Sequence, residues 1–209
     1  MVYCVRTSSA ACHRQERIVV VLTPTDPDPT PSALDPERAA WLKQFIRAIP
    51  DYPQPGIIFR DITPLLQNPE ALRYVIETMA TRYRDMNVEQ VVGIESRGFI
   101  FGTPLAYLLG TGFVPVRKKG KLPADTYSVE YDLEYGSNVL EIHRDALVQE
   151  QRTLIVDDLL ATGGTTAGTV QLVEQLGAQV VSLTFLIELE ALRGRDRLVG
   201  HDVFALLSF

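Results

Sequence analysis

The stretch at residues 153–166, Thr-Leu-Ile-Val-Asp-Asp-Leu-Leu-Ala-Thr-Gly-Gly-Thr-Thr, constrains this chain more than any other. Leu154, Ile155 and Val156 form a short apolar run of the kind that makes a buried strand. Two adjacent acids follow, Asp157 and Asp158, and then a small, hydroxylated segment, Ala161-Thr162-Gly163-Gly164-Thr165, that leads into a helical pattern. Without bulky side chains such a turn folds tightly. It aims several backbone N–H groups at one anion, and the helix N-terminus adds its partial positive charge. The threonine hydroxyls supply further donors. The carboxylates repel a phosphate, so they suit what sits beside it: hydroxyl groups, or a magnesium ion. The pattern predicts a strand–turn–helix junction that holds a phosphorylated sugar. A plain structural turn needs neither paired acids nor so many hydroxyls. A Walker A loop is excluded, because Gly120-Lys121 is followed by Leu122 and lacks the earlier glycine.

A second junction of this kind lies at Gln90-Val-Val-Gly-Ile-Glu-Ser-Arg-Gly98. A strand pattern ends there in a polar knot, Glu95-Ser96-Arg97-Gly98, before a helical stretch over residues 99–109. Free amides at that helix start, together with Arg97, suit an anion. Ser-Arg-Gly alone is equally compatible with a structural turn. Phe113-Val-Pro-Val116 predicts another strand, running into Arg117-Lys-Lys-Gly-Lys121. Four positive charges in five residues are ordinarily a solvated loop; beside a diphosphate they would neutralise a departing anion. The segment up to about residue 138 is long, polar and carries Tyr127, Tyr131 and Tyr135. A loop of that length in a compact domain fits a lid.

Upstream, Asp35-Pro36-Glu37 opens a helix with a capping aspartate and a proline in its first turn. Residues 49–56 break it with three prolines and a glycine. Phe59 and Arg60 then interrupt an apolar run, Ile57-Ile-Phe-Arg-Asp-Ile-Thr-Pro-Leu-Leu66. An exposed ring there would stack on a flat aromatic ligand, though the spacing suits a core aromatic equally well. Asn68-Pro69-Glu70 starts a further helix, and Val180-Val-Ser-Leu-Thr-Phe-Leu-Ile187 predicts a buried central strand. A short basic helix over residues 191–198 and a final strand over 203–207 complete the pattern. Strands alternating with helices predict an α/β fold with a mainly parallel central sheet flanked by helices. Ligands of such sheets collect beyond the carboxyl ends of the strands, where the predicted turns lie.

Residues 1–34 differ from the rest. They contain a proline-rich acidic spacer, and we read them as a poorly ordered extension, with a start codon assigned too early as one explanation. Both cysteines, Cys4 and Cys12, lie there; with His13 they make an incomplete metal set. The body at 35–209 has no cysteine, which predicts a reducing, cytoplasmic setting. A net charge of −6 argues against a nucleic-acid binder that relies on a global basic field. No apolar run approaches the length of a membrane helix.

The segment at 153–166 resembles the PRPP (5-phosphoribosyl-1-pyrophosphate) motif of the type I phosphoribosyltransferases. The segment Pro55-Gly-Ile-Ile-Phe-Arg-Asp-Ile-Thr-Pro64 and the lid sequence Leu133-Glu134-Tyr135-Gly136 are similar to the adenine-specific members. The resemblance spans about residues 35–209 and implies a small N-terminal base-binding hood, at about 35–66, and a flexible catalytic loop, at about 119–138. By that resemblance Ala161, Thr162, Gly163, Gly164 and Thr165 hold the 5′-phosphate, and Asp157 and Asp158 the ribose hydroxyls. Glu95, Ser96, Arg97, Arg117 and Lys121 meet the diphosphate, with a cis peptide between Glu95 and Ser96. Phe59 stacks on adenine, and backbone atoms of Ile58 and Arg60 read its edge. Glu134 manages the purine protons. Magnesium is expected mainly through PRPP, without a direct protein ligand. A homodimer is implied, with Arg117 near the neighbouring site. The expected reaction is adenine plus PRPP giving AMP and pyrophosphate. Two other readings stay open: transfer to another base, and a PRPP-sensing regulator without catalysis.

Overall fold

A computed structural model of the chain describes residues 34–132 and 137–209. The expectations for residues 1–33, including Cys4, Cys12 and His13, and for Glu134 lie outside the described residues. Helix α1 (Pro36–Lys43) starts where the sequence places it: the Asp35 carboxylate accepts the Glu37 amide at 3.1 Å, and Pro36 opens the first turn. Two short strands follow, β1 (Arg47–Pro50) and β2 (Ile58–Asp61), paired antiparallel with Ile49 opposite Phe59. β1 occupies ground where the proline cluster predicts only a helix break. Its proline is the last residue of an edge strand, where a missing N–H does no harm.

Helices α2 (Thr63–Gln67) and α3 (Pro69–Tyr83) lead into the main sheet. Asn68 caps α3 by accepting the Glu70 and Ala71 amides at 3.0 and 2.9 Å. The remaining elements are β3 (Gln90–Ile94), α4 (Gly98–Leu109), β4 (Gly112–Lys118), β5 (Thr126–Asp132) and β6 (Ser137–His143). After them come β7 (Arg152–Leu160), α5 (Gly164–Gln175), β8 (Gln179–Glu188), two 3-10 turns (Glu190–Leu192 and Gly194–Arg197) and β9 (Val203–Ser208). The seven-stranded sheet has the order β5-β6-β4-β3-β7-β8-β9. Strands β4, β3, β7, β8 and β9 are mutually parallel, and β5 and β6 are antiparallel additions at one edge. The expected α/β architecture is therefore present.

Because strand side chains alternate in direction, the central strands feed two cores. Val91, Leu154 and Val156 pack with Val75, Met79 and Phe101 of α3 and α4 on one face. Val92 and Ile155 pack with Val170, Leu172 and Val173 of α5 on the other. Two local differences from the sequence pattern matter. Within the stretch read as a long lid, residues 126–132 and 137–138 belong to the antiparallel pair β5 and β6, in which Val129 faces Leu140. Its polar, tyrosine-rich composition is that of a strand pair with one wet face. The basic helix expected at residues 191–198 is instead two 3-10 turns joined at Arg193, whose φ of 52° stops continuous helix. Among the described residues no helix is long and apolar enough to cross a membrane.

Candidate active site

Strand β7 ends in the acid pair. Asp157 is half-buried and Asp158 only 4% exposed. The Asp158 amide donates to the Asp157 carboxylate at 2.9 Å, and Arg97 Nε lies 2.8 Å from Asp158 Oδ2. Burial pushes the Asp157 carboxyl well above the ordinary carboxylate range, and the neighbouring Asp158 charge pushes it further. Burial also raises Asp158, against the lowering effect of Arg97. One guanidinium thus serves two carboxylates. Among the described residues the pair is short of positive charge and of hydrogen-bond donors.

Beyond the acids the chain turns at Gly163, with φ of 81°, and enters α5 at Gly164. No side chain caps this helix, so its first amides face the turn. A small cleft of about 60 Å³ is lined by Ala161, Thr162, Gly163, Gly164 and Thr165 together with Asp157. This arrangement of amides, hydroxyls and helix dipole fits one phosphate group.

The Glu95–Arg97 turn follows β3, the strand paired directly with β7, and so lies beside the acids. The Glu95–Ser96 peptide is cis. Gly98 starts α4 so close to β7 that a Cβ there would stand 2.6 Å from the Val156 carbonyl oxygen. The helix start and the acid pair therefore share one wall. A cavity of about 570 Å³ opens between them, with Glu95, Ser96 and Arg97 on one side and Asp157, Asp158 and Thr165 on the other.

Not every predicted residue reaches this cavity. Arg117 turns to Glu95 at 3.1 Å and donates to the Lys121 carbonyl oxygen at 2.9 Å. Burial opposes ionisation of Glu95. The Arg117 hydrogen bond and the Lys118 amide, 3.0 Å away, outweigh it and hold the carboxyl below its ordinary range. Neither Arg117 nor Lys121 lines the cavity; Lys118, Tyr131 and Asn138 do, of which the sequence marked Lys118 only as one charge of a basic run and Tyr131 only as part of the lid. A signal for Lys118 existed. Val114 and Val116 point to the α5 face, so the next residue of that parity leaves the strand on the same side.

The hood approaches through Phe59, which is half-buried. The Arg97 guanidinium lies 5.5 Å from the Phe59 ring centroid, and Tyr52 packs edge-on at 5.3 Å. β2 has β1 as its strand partner along one edge, and among the described residues no strand covers the other. That leaves backbone groups near Ile58 and Arg60 for a flat ligand. Arg97 therefore touches both the hood ring and the acid pair.

An anion loop and an uncompensated acid pair at the carboxyl end of a parallel sheet define a phosphoribosyltransferase, and a family model of the phosphoribosyl transferase domain matches residues 61–205. The adenine phosphoribosyltransferase of Carboxydothermus hydrogenoformans is 61% identical over 168 residues, which is 80% of this chain and 99% of that protein. The chain belongs to the adenine phosphoribosyltransferases. Solved structures agree. The enzyme of Thermoanaerobacter pseudethanolicus superposes with a TM-score of 0.80 at 53% identity, covering 82% of this chain and 99% of that one. The enzyme of Saccharomyces cerevisiae, crystallised with adenine and an imino-altritol bisphosphate, gives 0.77 at 40% identity, covering 82% and 99%.

Proposed function

We propose that the cavity between β3 and β7 transfers the 5-phosphoribosyl group from PRPP to adenine, giving AMP and pyrophosphate, with the residues in the roles that follow. The observation that carries this reading is the convergence of the phosphate turn, the acid pair and Arg97 on one cavity beside an aromatic hood.

The 5′-phosphate sits on the amides and hydroxyls of Ala161, Thr162, Gly163, Gly164 and Thr165, at the positive end of α5. Asp157 and Asp158 accept hydrogen bonds from the ribose hydroxyls, which supply the donors that burial has withheld. Adenine stacks on Phe59, with backbone groups of Ile58 and Arg60 at its edge. Its N9 attacks C1 of the ribose, and the bond to pyrophosphate breaks. Positive character on the sugar develops beside two carboxylates, and negative charge leaves towards Glu95-Ser96-Arg97 and Lys118. Arg117, braced by Glu95, and Lys121 add positive charge at the rim. Glu134 takes the role of moving the purine proton. Magnesium would come mainly with the diphosphate of PRPP rather than through a direct protein ligand. When bound, it would neutralise charge on the leaving group.

A homodimer in the cytoplasm suits the same reading. α4 presents Ile100, Tyr107 and Leu108 to solvent, the kind of apolar face that a second copy buries. Sedimentation equilibrium reads that state directly. The decisive assay is pyrophosphate release from PRPP with adenine, hypoxanthine, guanine, xanthine or orotate as acceptor. Release with adenine is the expected result. Preference for another base would reassign the hood, and PRPP binding without release for any base would make the chain a sensor.

A further inference from the structure

The phosphate turn is packed against a second turn. Gly163, with its φ of 81°, is packed back-to-back against a second backbone segment, the turn around Gly194. A Cβ on Gly163 would collide with the Gly194 carbonyl oxygen and come within 3.4 Å of Arg197 Cβ. A Cβ on Gly194 would collide with the Ala161 carbonyl oxygen and stand 2.8 Å from Leu160 Cδ1. The two turns meet main chain to main chain, so the position of one sets the position of the other.

What fixes the Gly194 turn is the residue next to it. Arg195 makes a two-pronged contact with Glu188: Nε donates to both carboxylate oxygens at 2.8 and 3.0 Å, and Nη2 donates to Oε2 at 2.7 Å. Nη1 reaches the Val203 carbonyl oxygen of β9 at 2.8 Å. Glu188 is 7% exposed and stands at the end of β8, directly opposite Leu160 at the end of β7. The Leu189 amide continues this register by donating to the Leu160 carbonyl oxygen at 2.9 Å. The fork therefore ties the Gly194 turn to the same strand ends from which the phosphate turn departs.

We infer that Glu188 and Arg195 are positioning residues for PRPP: they hold the Gly194 turn against Gly163 and so set the cradle of the 5′-phosphate. This rests on the assignment of that cradle under the proposed function. Neither side chain touches the substrate. A planar fork resists rotation in a way that a single ammonium contact does not, so a lysine in place of Arg195 keeps the charge and loses the geometry. A misplaced cradle weakens PRPP while leaving the adenine hood, whose Ile58, Phe59 and Arg60 do not line the cradle, as it was.

The test is steady-state kinetics of Arg195→Lys and Glu188→Gln in the full chain, with KM measured for each substrate and melting temperature recorded beside it. The expected result is a KM for PRPP raised roughly tenfold or more in both variants. KM for adenine should stay within about twofold, with a melting temperature near that of the parent. The double variant should lose little more than either single one, because the two groups act as one unit. Unchanged KM for PRPP in both variants would overturn the inference. So would a parallel rise of both KM values, or loss of the fold in both variants, since either outcome makes the fork a general brace. A parent protein that releases no pyrophosphate with adenine would instead sink the proposed function itself.

Discussion

Asp61 in the hood and the Asp157–Asp158 pair at the end of β7 are all carboxylates drawn out of water, yet the chain treats them in opposite ways. Asp61, 8% exposed, accepts the Thr63 hydroxyl at 2.6 Å, the Thr63 amide at 2.9 Å and Arg47 Nε at 3.0 Å. The Thr63 hydroxyl and amide, with Arg47, hold its carboxyl down at about 2. Among the described residues the acid pair has one guanidinium and one backbone amide between two side chains, and burial drives both carboxyls upward. The hood acid is filled by its own neighbours and serves the fold. The paired acids are left with open lone pairs, which is how a protein prepares a place for someone else's hydroxyls.

The largest effect should come from the unfilled side. Asp157→Asn and Asp158→Asn remove the charge that the ribose hydroxyls meet. Two charge-assisted hydrogen bonds correspond to a loss of about a thousandfold in kcat/KM for PRPP. Adenine binding, measured separately by calorimetry, should barely change. Asp157→Asn should also raise the melting temperature of the ligand-free protein. Folding forces an unfavourable charge there, and Asn keeps an acceptor for the Asp158 amide. A fall in melting temperature would mean that the chain satisfies Asp157 after all, and the contrast with Asp61 would fail. The same contrast has a pH signature. An acid whose native pKa lies above its unfolded one binds its proton more tightly when folded. Stability contributed by Asp157 is therefore lost as pH climbs from the ordinary carboxylate range towards the raised native value. PRPP, added at saturation, should abolish that slope.

A third acid sharpens the comparison from the catalytic side. Glu134→Gln keeps size and polarity but cannot take a proton. The expected outcome is kcat lowered about a hundredfold with little change in PRPP affinity. Equal kcat values would remove Glu134 from the chemistry.

The two acid environments were unequally legible in the sequence. Asp157, Asp158 and the glycine turn announced themselves, because adjacent like charges inside an apolar run have no structural purpose. The parallel sheet was legible for a related reason: Leu154-Ile-Val156 and residues 180–187 are too continuously apolar for one-sided strands. Asp61 gave no such sign: Thr63, two residues on, is an ordinary local partner, and Arg47 depends on a hairpin that the proline cluster concealed. Arg97 was marked as an anion ligand but not as the residue that joins Asp158 to Phe59, a contact made across three elements. Glu188 and Arg195 were invisible for the opposite reason. A charge at a strand end and a basic turn look like solvated surface until the fold brings them together.

The smallest effect should come from the filled acid. Asp61→Asn leaves the Thr63 hydrogen bonds, both to Oδ1, available to the amide oxygen, and sets an NH2 where Oδ2 accepted from Arg47, so the charge and the Arg47 hydrogen bonds are lost together. Arg47 is well exposed, with 61% of its side chain in contact with solvent, so water screens that pair. A stability loss of about 1–2 kcal/mol at neutral pH is expected, with kcat within about twofold of the parent. The pH dependence has the opposite sign to that of Asp157. A carboxyl depressed to about 2 contributes stability above its ordinary pKa and loses it as pH falls towards 2, so the variant should be penalised at neutral pH and not in strong acid. Denaturant melts of parent and variant between pH 2 and pH 7 check this directly. Curves that stay parallel across that range would show that the Asp61 charge does nothing for the hood. The hood would then owe its shape to the β1–β2 pairing and to Phe209, whose ring lies 4.2 Å beneath the Arg60 guanidinium.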